Sequence, residues 1–275
     1  MTKIEKIIVI VASIVAIFAF VMVIMKAHDY KVANDEYDSL KQFASETVEN
    51  TETAEEVNET VPVEAEEKEQ KKELATNSNR EDFPDLEVDF KSLREKNPDT
   101  VGWLYVGSCG ISYPIVQGED NDYYMHHTFE GNANASGAII MDYRDNKYMK
   151  DWNTFIYGHN MKNGSMFGSL KKLLKDETLY DQDPYIYVYL PGYIYRYKIF
   201  SYYKDKPDSK MYWTADTLQE YRQYIRDALS LSVRDCNVET SEENNMVTLV
   251  TCSGSGEGKM RFFVHGEFID RYKIQ

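Results

Sequence analysis

Residues 7–25 read IIVIVASIVAIFAFVMVIM, without one charged side chain. A run of that length matches the roughly 20 apolar residues an α-helix needs to cross the hydrocarbon of a bilayer. In that medium every backbone N–H and C=O must find its partner within the segment, which leaves helix as the conformation for a lone span. Lys3 and Lys6 precede the run and Lys26 follows it. A cleavable signal peptide has a shorter apolar region and a small-x-small exit. Here the run ends in Val23, Ile24 and Met25, with no such exit. Residues 1–26 are therefore read as an uncleaved signal anchor. Lysines on both flanks make the positive-inside signal weak. Orientation rests on the few residues before the span, which put the N-terminus in the cytoplasm and the large remainder outside a single-pass anchor.

The next stretch changes character. Residues 27–45 are compatible with a continuing helix, with Tyr30, Tyr37, Leu40 and Phe43 as a loose stripe. A short stalk is the simpler reading. Residues 46–82 are rich in Glu, Thr, Asn and Lys and lack aromatics. Such a composition cannot bury enough apolar surface to offset ordering entropy, and its charges repel one another. Residues 27–82 are thus expected to be a stalk followed by an acidic, disordered linker, and 83–275 the folded domain. The formal net charge of −15 argues against nucleic acid, which needs basic surface to neutralise phosphates. Much of that charge lies between Glu46 and Glu73.

The folded part is β-rich. It holds most of the 22 tyrosines, a residue suited to half-buried strands. Strand-like runs cover 101–106, 111–116, 138–142, 154–157, 185–190, 193–203, 246–251 and 260–269. Pro191-Gly192 sits between two of them, a turn signal that predicts a hairpin. Asp89 is placed to cap a short helix through Lys96, with Phe90 and Leu93 inward. Leu218, Tyr221, Tyr224, Ile225 and Leu229 recur at helical spacing within 214–233, with Thr214 as the expected cap. Many short strands and few helices give a mainly β fold, a sandwich or a closed barrel.

The chemistry concentrates in Val247–Gly266, VTLVTCSGSGEGKMRFFVHG. An alternating strand ends at Cys252, a Gly/Ser-rich turn follows, and a second strand opens with Arg261. Cysteine is more often a quiet core residue than a nucleophile. It needs a nearby base or cation to populate its thiolate. Of the five histidines, His28 lies in the stalk, His126 and His127 in a polar loop, and His265 inside the last strand, where packing or a hydrogen bond explains it. His159 differs: it ends the strand TFIYGH after Gly158 and enters a loop. A cysteine and a distant histidine, adjacent only in the fold, are the pattern of a thiol acyltransferase or protease. Arg261 adds a cation that stays protonated and is able to donate to an oxyanion. Each of the three also has an ordinary structural explanation. The cysteines, Cys109, Cys236 and Cys252, show no C-x-x-C pair or histidine cluster at ligand spacing, so zinc is a poor fit. Pairing of Cys109 with Cys236 is open; two small buried residues is the simpler reading.

Taken together, TLVTC, Arg261 with VHG, and YGHN upstream resemble the sortases of Gram-positive bacteria. NPDTVGWLYV, YPIVQGEDNDYYMHHTF, GAIIMDYRD and WNTFIYGHNMKNGSMFGSL, with the helix inserted before the cysteine strand, are similar to class B members over about 89–268. The resemblance implies a closed β-barrel of about eight strands. It implies a cysteine transpeptidase with Cys252 as nucleophile, His159 as general acid/base and Arg261 as the oxyanion and substrate-orienting group. Asn121, Met125, Tyr157 and Thr251 become candidate substrate contacts. No metal or organic cofactor is implied. The partners would be an exported protein carrying a C-terminal sorting motif of NPxTx type, cut after threonine, and a cell-wall precursor amine. Class B members often have serine two positions before the cysteine; here Val250 stands there. Pilin-polymerising sortases usually carry a lid before the barrel and often a C-terminal span, neither of which is legible here. A non-catalytic binding module on the same barrel would not need all three groups.

Overall fold

The alternating runs close on themselves. The computed structural model describes residues 2–45, 79–212, 215–253 and 260–274, with the side chains of Cys252 and Ser253 outside that set. Helix α1 spans Lys3–Leu40 and opens with a reciprocal cap between Thr2 and Glu5. After one 3-10 turn, strand β1 (Ala44–Ser45) pairs with β2 (Glu87–Val88). Helix α2 (Phe90–Lys96) is capped by Asp89, whose carboxylate accepts from the Ser92 N–H at 3.0 Å, and it buries Leu93. There follow β3 (Thr100–Val106), β4 (Ile111–Val116), α3 (Tyr123–His126), β5 (Ile139–Met141), β6 (Asn153–Tyr157), a 3-10 helix (Phe167–Leu174) and α4 (Thr178–Gln182). The chain closes with β7 (Tyr185–Leu190), β8 (Tyr193–Asp205), α5 (Leu218–Leu231), β9 (Met246–Ser253) and β10 (Met260–Lys273).

Strands β3 to β10 form one closed barrel in the order β10-β8-β7-β3-β4-β5-β6-β9. Pairs β4–β5 and β6–β9 are parallel; the others are antiparallel. Closure leaves no free sheet edge, which resolves the choice between barrel and sandwich. Trp103, Leu104, Ile115, Ile139, Ile156, Val188, Leu249 and Val264 are fully buried. Strands β5 and β6 are buried at every position, because loops and helices cover the outer face as the barrel fills the inner one. The hairpin across Pro191-Gly192 forms as the turn signal predicts, with Leu190 opposite Tyr193 and Gly192 at φ +84. Cys109 and Cys236 are both buried and free.

Two expectations are corrected. Thr214 lies outside the described residues, and Thr217 caps α5. Its hydroxyl accepts from the Glu220 N–H while the Glu220 carboxylate accepts from the Thr217 N–H, so the cap sits where a glutamate follows three residues on. The larger correction concerns residues 27–45. The helix that begins in the apolar run continues without a break, and Ala33, Tyr37 and Leu40 are buried against the barrel. Tyr30 and Phe43 pack at the edge of the same core. The stalk reading fails because a few apolar residues at helical spacing suffice once a matching surface exists, and that surface belongs to distant parts of the chain. The earlier turns of α1 stay bare: an 18-residue window has a mean hydropathy of 3.3 with no burial. Of the expected linker, 46–82, residues 46–78 lie outside the described residues, and Arg80–Asp82 form a 3-10 turn.

Candidate active site

Strand register builds the site. Strands β9 and β10 pair antiparallel with Arg261 opposite Cys252. Strand β6 runs parallel to β9 with Tyr157 opposite Val250, and the Gly158 N–H donates to the Val250 carbonyl at 3.2 Å. Two residues past that pair come His159, beyond the end of β6, and Cys252, still on β9. Arg261 and Cys252 are therefore cross-strand partners, and His159 leaves the end of the strand next to β9, although His159 and Cys252 lie far apart in the sequence. The rung below carries Phe263, Val250 and Tyr157. Phe263 stacks on Tyr203 at 5.5 Å and meets Tyr212 edge-on at 5.1 Å, giving the site an aromatic floor.

His159 is aimed by what surrounds it. A Cβ at Gly158 would lie 2.6 Å from Ile139 Cδ1 and 2.8 Å from Phe167 Cγ, so only glycine lets the strand pass there. His159 Nε2 is 2.7 Å from the Met125 carbonyl oxygen. A carbonyl only accepts, so Nε2 carries hydrogen and Nδ1 is left to exchange a proton. The imidazole also packs on Gly137, where a Cβ would approach its Cδ2 to 2.9 Å. The Phe167 N–H donates to the His159 carbonyl at 3.0 Å and fixes the backbone. On the other flank, Arg261 Nη1 is buried with no hydrogen-bond partner among the described residues. A buried cationic donor left so is costly unless a ligand completes it.

The remaining sequence candidates separate. Met125 contributes its carbonyl to His159. Thr251 is buried, and its Oγ1 has no partner among the described residues. The Tyr157 hydroxyl is engaged internally, donating to Asp142 Oδ2 at 2.9 Å. Burial raises the Asp142 carboxyl, but hydrogen bonds from Arg144 and Tyr157 outweigh it and hold the group below its usual range. Asn121 accepts from the Tyr143 N–H at 3.0 Å, tying two loops together. No hydrogen bond joins Asn121 to His159 or Arg261 among the described residues. Gly137 and the Met125 carbonyl were missed as supports for His159, because a carbonyl carries no side-chain signal.

His265 takes the structural role expected of it. It is fully buried, with Nε2 2.9 Å from the Tyr203 hydroxyl and Nδ1 2.9 Å from the Thr248 hydroxyl. Thr248 donates onward to Asn153 Oδ1 at 2.7 Å, so it accepts from His265 Nδ1–H, and Nε2 accepts from Tyr203. Burial pushes the imidazole down to about 3. An unfolded histidine titrates near 6.5, so this contribution is full above that pH and is lost as pH falls toward about 3. His265→Gln is expected to destabilise the domain by about 1–3 kcal/mol at neutral pH. Between pH 6 and 4 the gap to wild type should shrink by up to about 1.4 kcal/mol per pH unit. Urea unfolding at several pH values measures it; a pH-independent gap would contradict the assignment.

Known proteins share this fold. The sortase domain family matches residues 104–269. Sortase B of Listeria monocytogenes is 34% identical over 188 residues, 66% of this chain and 75% of the relative. The chain belongs to the sortase family, in class B. Clostridium perfringens sortase B, solved by X-ray, is similar to this sortase with a TM-score of 0.62 and 31% identity, covering 66% of this chain and 100% of that one. A Staphylococcus aureus sortase B–substrate complex is similar at a TM-score of 0.61 and 28% identity, covering 68% and 85%. The eight-stranded barrel expected from the motifs is the fold of these sortases.

Proposed function

We propose that this class B sortase is a membrane-anchored cysteine transpeptidase that cuts a C-terminal sorting motif of NPxTx type after threonine and passes the protein to a cell-wall amine. The observation that carries the reading is the pairing of Arg261 with Cys252 across β10 and β9, with His159 two residues past the Tyr157–Val250 pair on the adjoining strand. In this reading the Cys252 thiolate attacks the threonine carbonyl carbon. The oxyanion is stabilised by Arg261, whose buried Nη1 is free of internal partners among the described residues. Imidazolium His159 gives its Nδ1 proton to the leaving amine as the C–N bond breaks, and a thioester remains. The acceptor amine then attacks, His159 recovers a proton, and the thiolate departs. Water at that second step would make the product a free acid, so the acceptor decides between transfer and hydrolysis.

The bare apolar turns of α1 support the anchor, with the N-terminus in the cytoplasm and the barrel outside. Val250 is buried with Phe263 and Tyr157 as its partners on the two neighbouring strands, so a polar contact made by serine at that position in relatives is absent here. The test uses full-length protein in detergent with NPxTx peptides, with and without an amine. Cleavage after threonine, and a threonine–amine adduct when the amine is present, is expected. No cleavage of any such peptide, or a product that never includes the amine, would overturn the proposal.

A further inference from the structure

The docked end of helix α1 touches both chain segments that hold His159. The Tyr37 hydroxyl donates to the Gly137 carbonyl at 2.6 Å and accepts from the Phe129 N–H at 3.2 Å. Gly137 is the residue on which the His159 ring packs. Its neighbour Ala138 donates to the Tyr124 carbonyl at 2.9 Å, next to Met125, whose own carbonyl receives His159 Nε2. The Tyr37 ring meets Tyr113 edge-on at 5.4 Å, and the Tyr113 hydroxyl accepts from the Met166 N–H at 3.1 Å. Met166 sits at φ +52, bridges to Asn160, and precedes Phe167, whose N–H holds the His159 carbonyl. Beside Tyr37, the Glu36 carboxylate accepts from Thr128 Oγ1 at 2.8 Å, the Glu130 N–H at 2.9 Å and Asn132 Nδ2 at 3.1 Å. Burial, then the Glu36 charge, push the Tyr37 phenol up, so its hydroxyl stays able to donate.

We propose that Tyr37 is a positioning residue for His159, which makes the extension of the anchor helix part of the active-site scaffold. This rests on reading His159 as the acid/base. One hydroxyl fixes the 124–138 loop at Phe129 and Gly137, and the same ring steadies the 160–167 loop through Tyr113. Without the hydroxyl, a buried carbonyl and a buried N–H lose their partner, and the loop carrying the Met125 carbonyl must shift to recover one. Small displacements of a proton-transfer group are felt strongly in turnover.

Full-length protein in detergent tests this with Tyr37→Phe, which keeps the ring on Tyr113, beside wild type and His159→Ala. Tyr37→Phe should lower kcat for peptide cleavage about tenfold with KM within about twofold. The NMR titration midpoint of the His159 ring should move relative to wild type, which a merely structural role would not require. Glu36→Gln should shift the same titration in the same direction with about a two- to threefold loss, and serves if Tyr37→Phe does not fold. Wild-type turnover and an unmoved titration in both variants, beside an inactive His159→Ala, would overturn the positioning role alone. A fully active His159→Ala would remove the underlying reading and this proposal with it.

Discussion

Cys252→Ala is expected to lower sorting-peptide cleavage by at least about 10³-fold, to the background left by binding and oxyanion stabilisation. A thioester needs a sulfur nucleophile, and of the three proposed groups Cys252 alone is a thiol. The variant should melt as wild type does and still bind the peptide, so the loss would appear in kcat and not in folding. Wild-type protein mixed with peptide should show an acyl-enzyme mass that hydroxylamine releases; Cys252→Ala should not. Equal cleavage by the variant would refute a covalent role for Cys252.

Arg261→Lys should cost about 10²–10³-fold in kcat, the scale seen when one oxyanion donor is removed. Arginine presents a planar fork with several fixed N–H donors, whereas lysine offers one compact ammonium on a flexible stem. The buried Nη1, without a hydrogen-bond partner among the described residues, is the donor a substrate oxygen would complete. Charge is conserved in this substitution, so a large loss would assign the effect to geometry and not to net positive charge. KM should change less than kcat if the contact tightens as the oxyanion forms. Turnover near wild type would remove Arg261 from that role.

Much of the barrel was legible because its strands carry their own signals. Alternation, the Asp89 cap and the Pro191-Gly192 turn are local, and each appears where it was expected. The cap of α5 was displaced from Thr214 to Thr217 because a reciprocal pair with Glu220 competes better than a lone hydroxyl. Cys252, His159 and Arg261 were legible as residue types at strand ends, and the family motifs singled them out. What aims His159 was not legible: the Met125 carbonyl, the close approach of Gly137 and the docking of Tyr37 are contacts among segments far apart in sequence.

The sequence by itself determined an apolar helix at the N-terminus and a β-rich domain, because composition and periodicity act locally along the chain, while the family motifs nominated Cys252, His159 and Arg261. Only the tertiary structure decided that the strands close into a barrel, that Arg261 faces Cys252 beside the strand His159 follows, and that α1 continues past the apolar run to dock through Tyr37 on Gly137 and Phe129. Register and docking are fixed by which distant surfaces bury each other, and no local pattern encodes that choice.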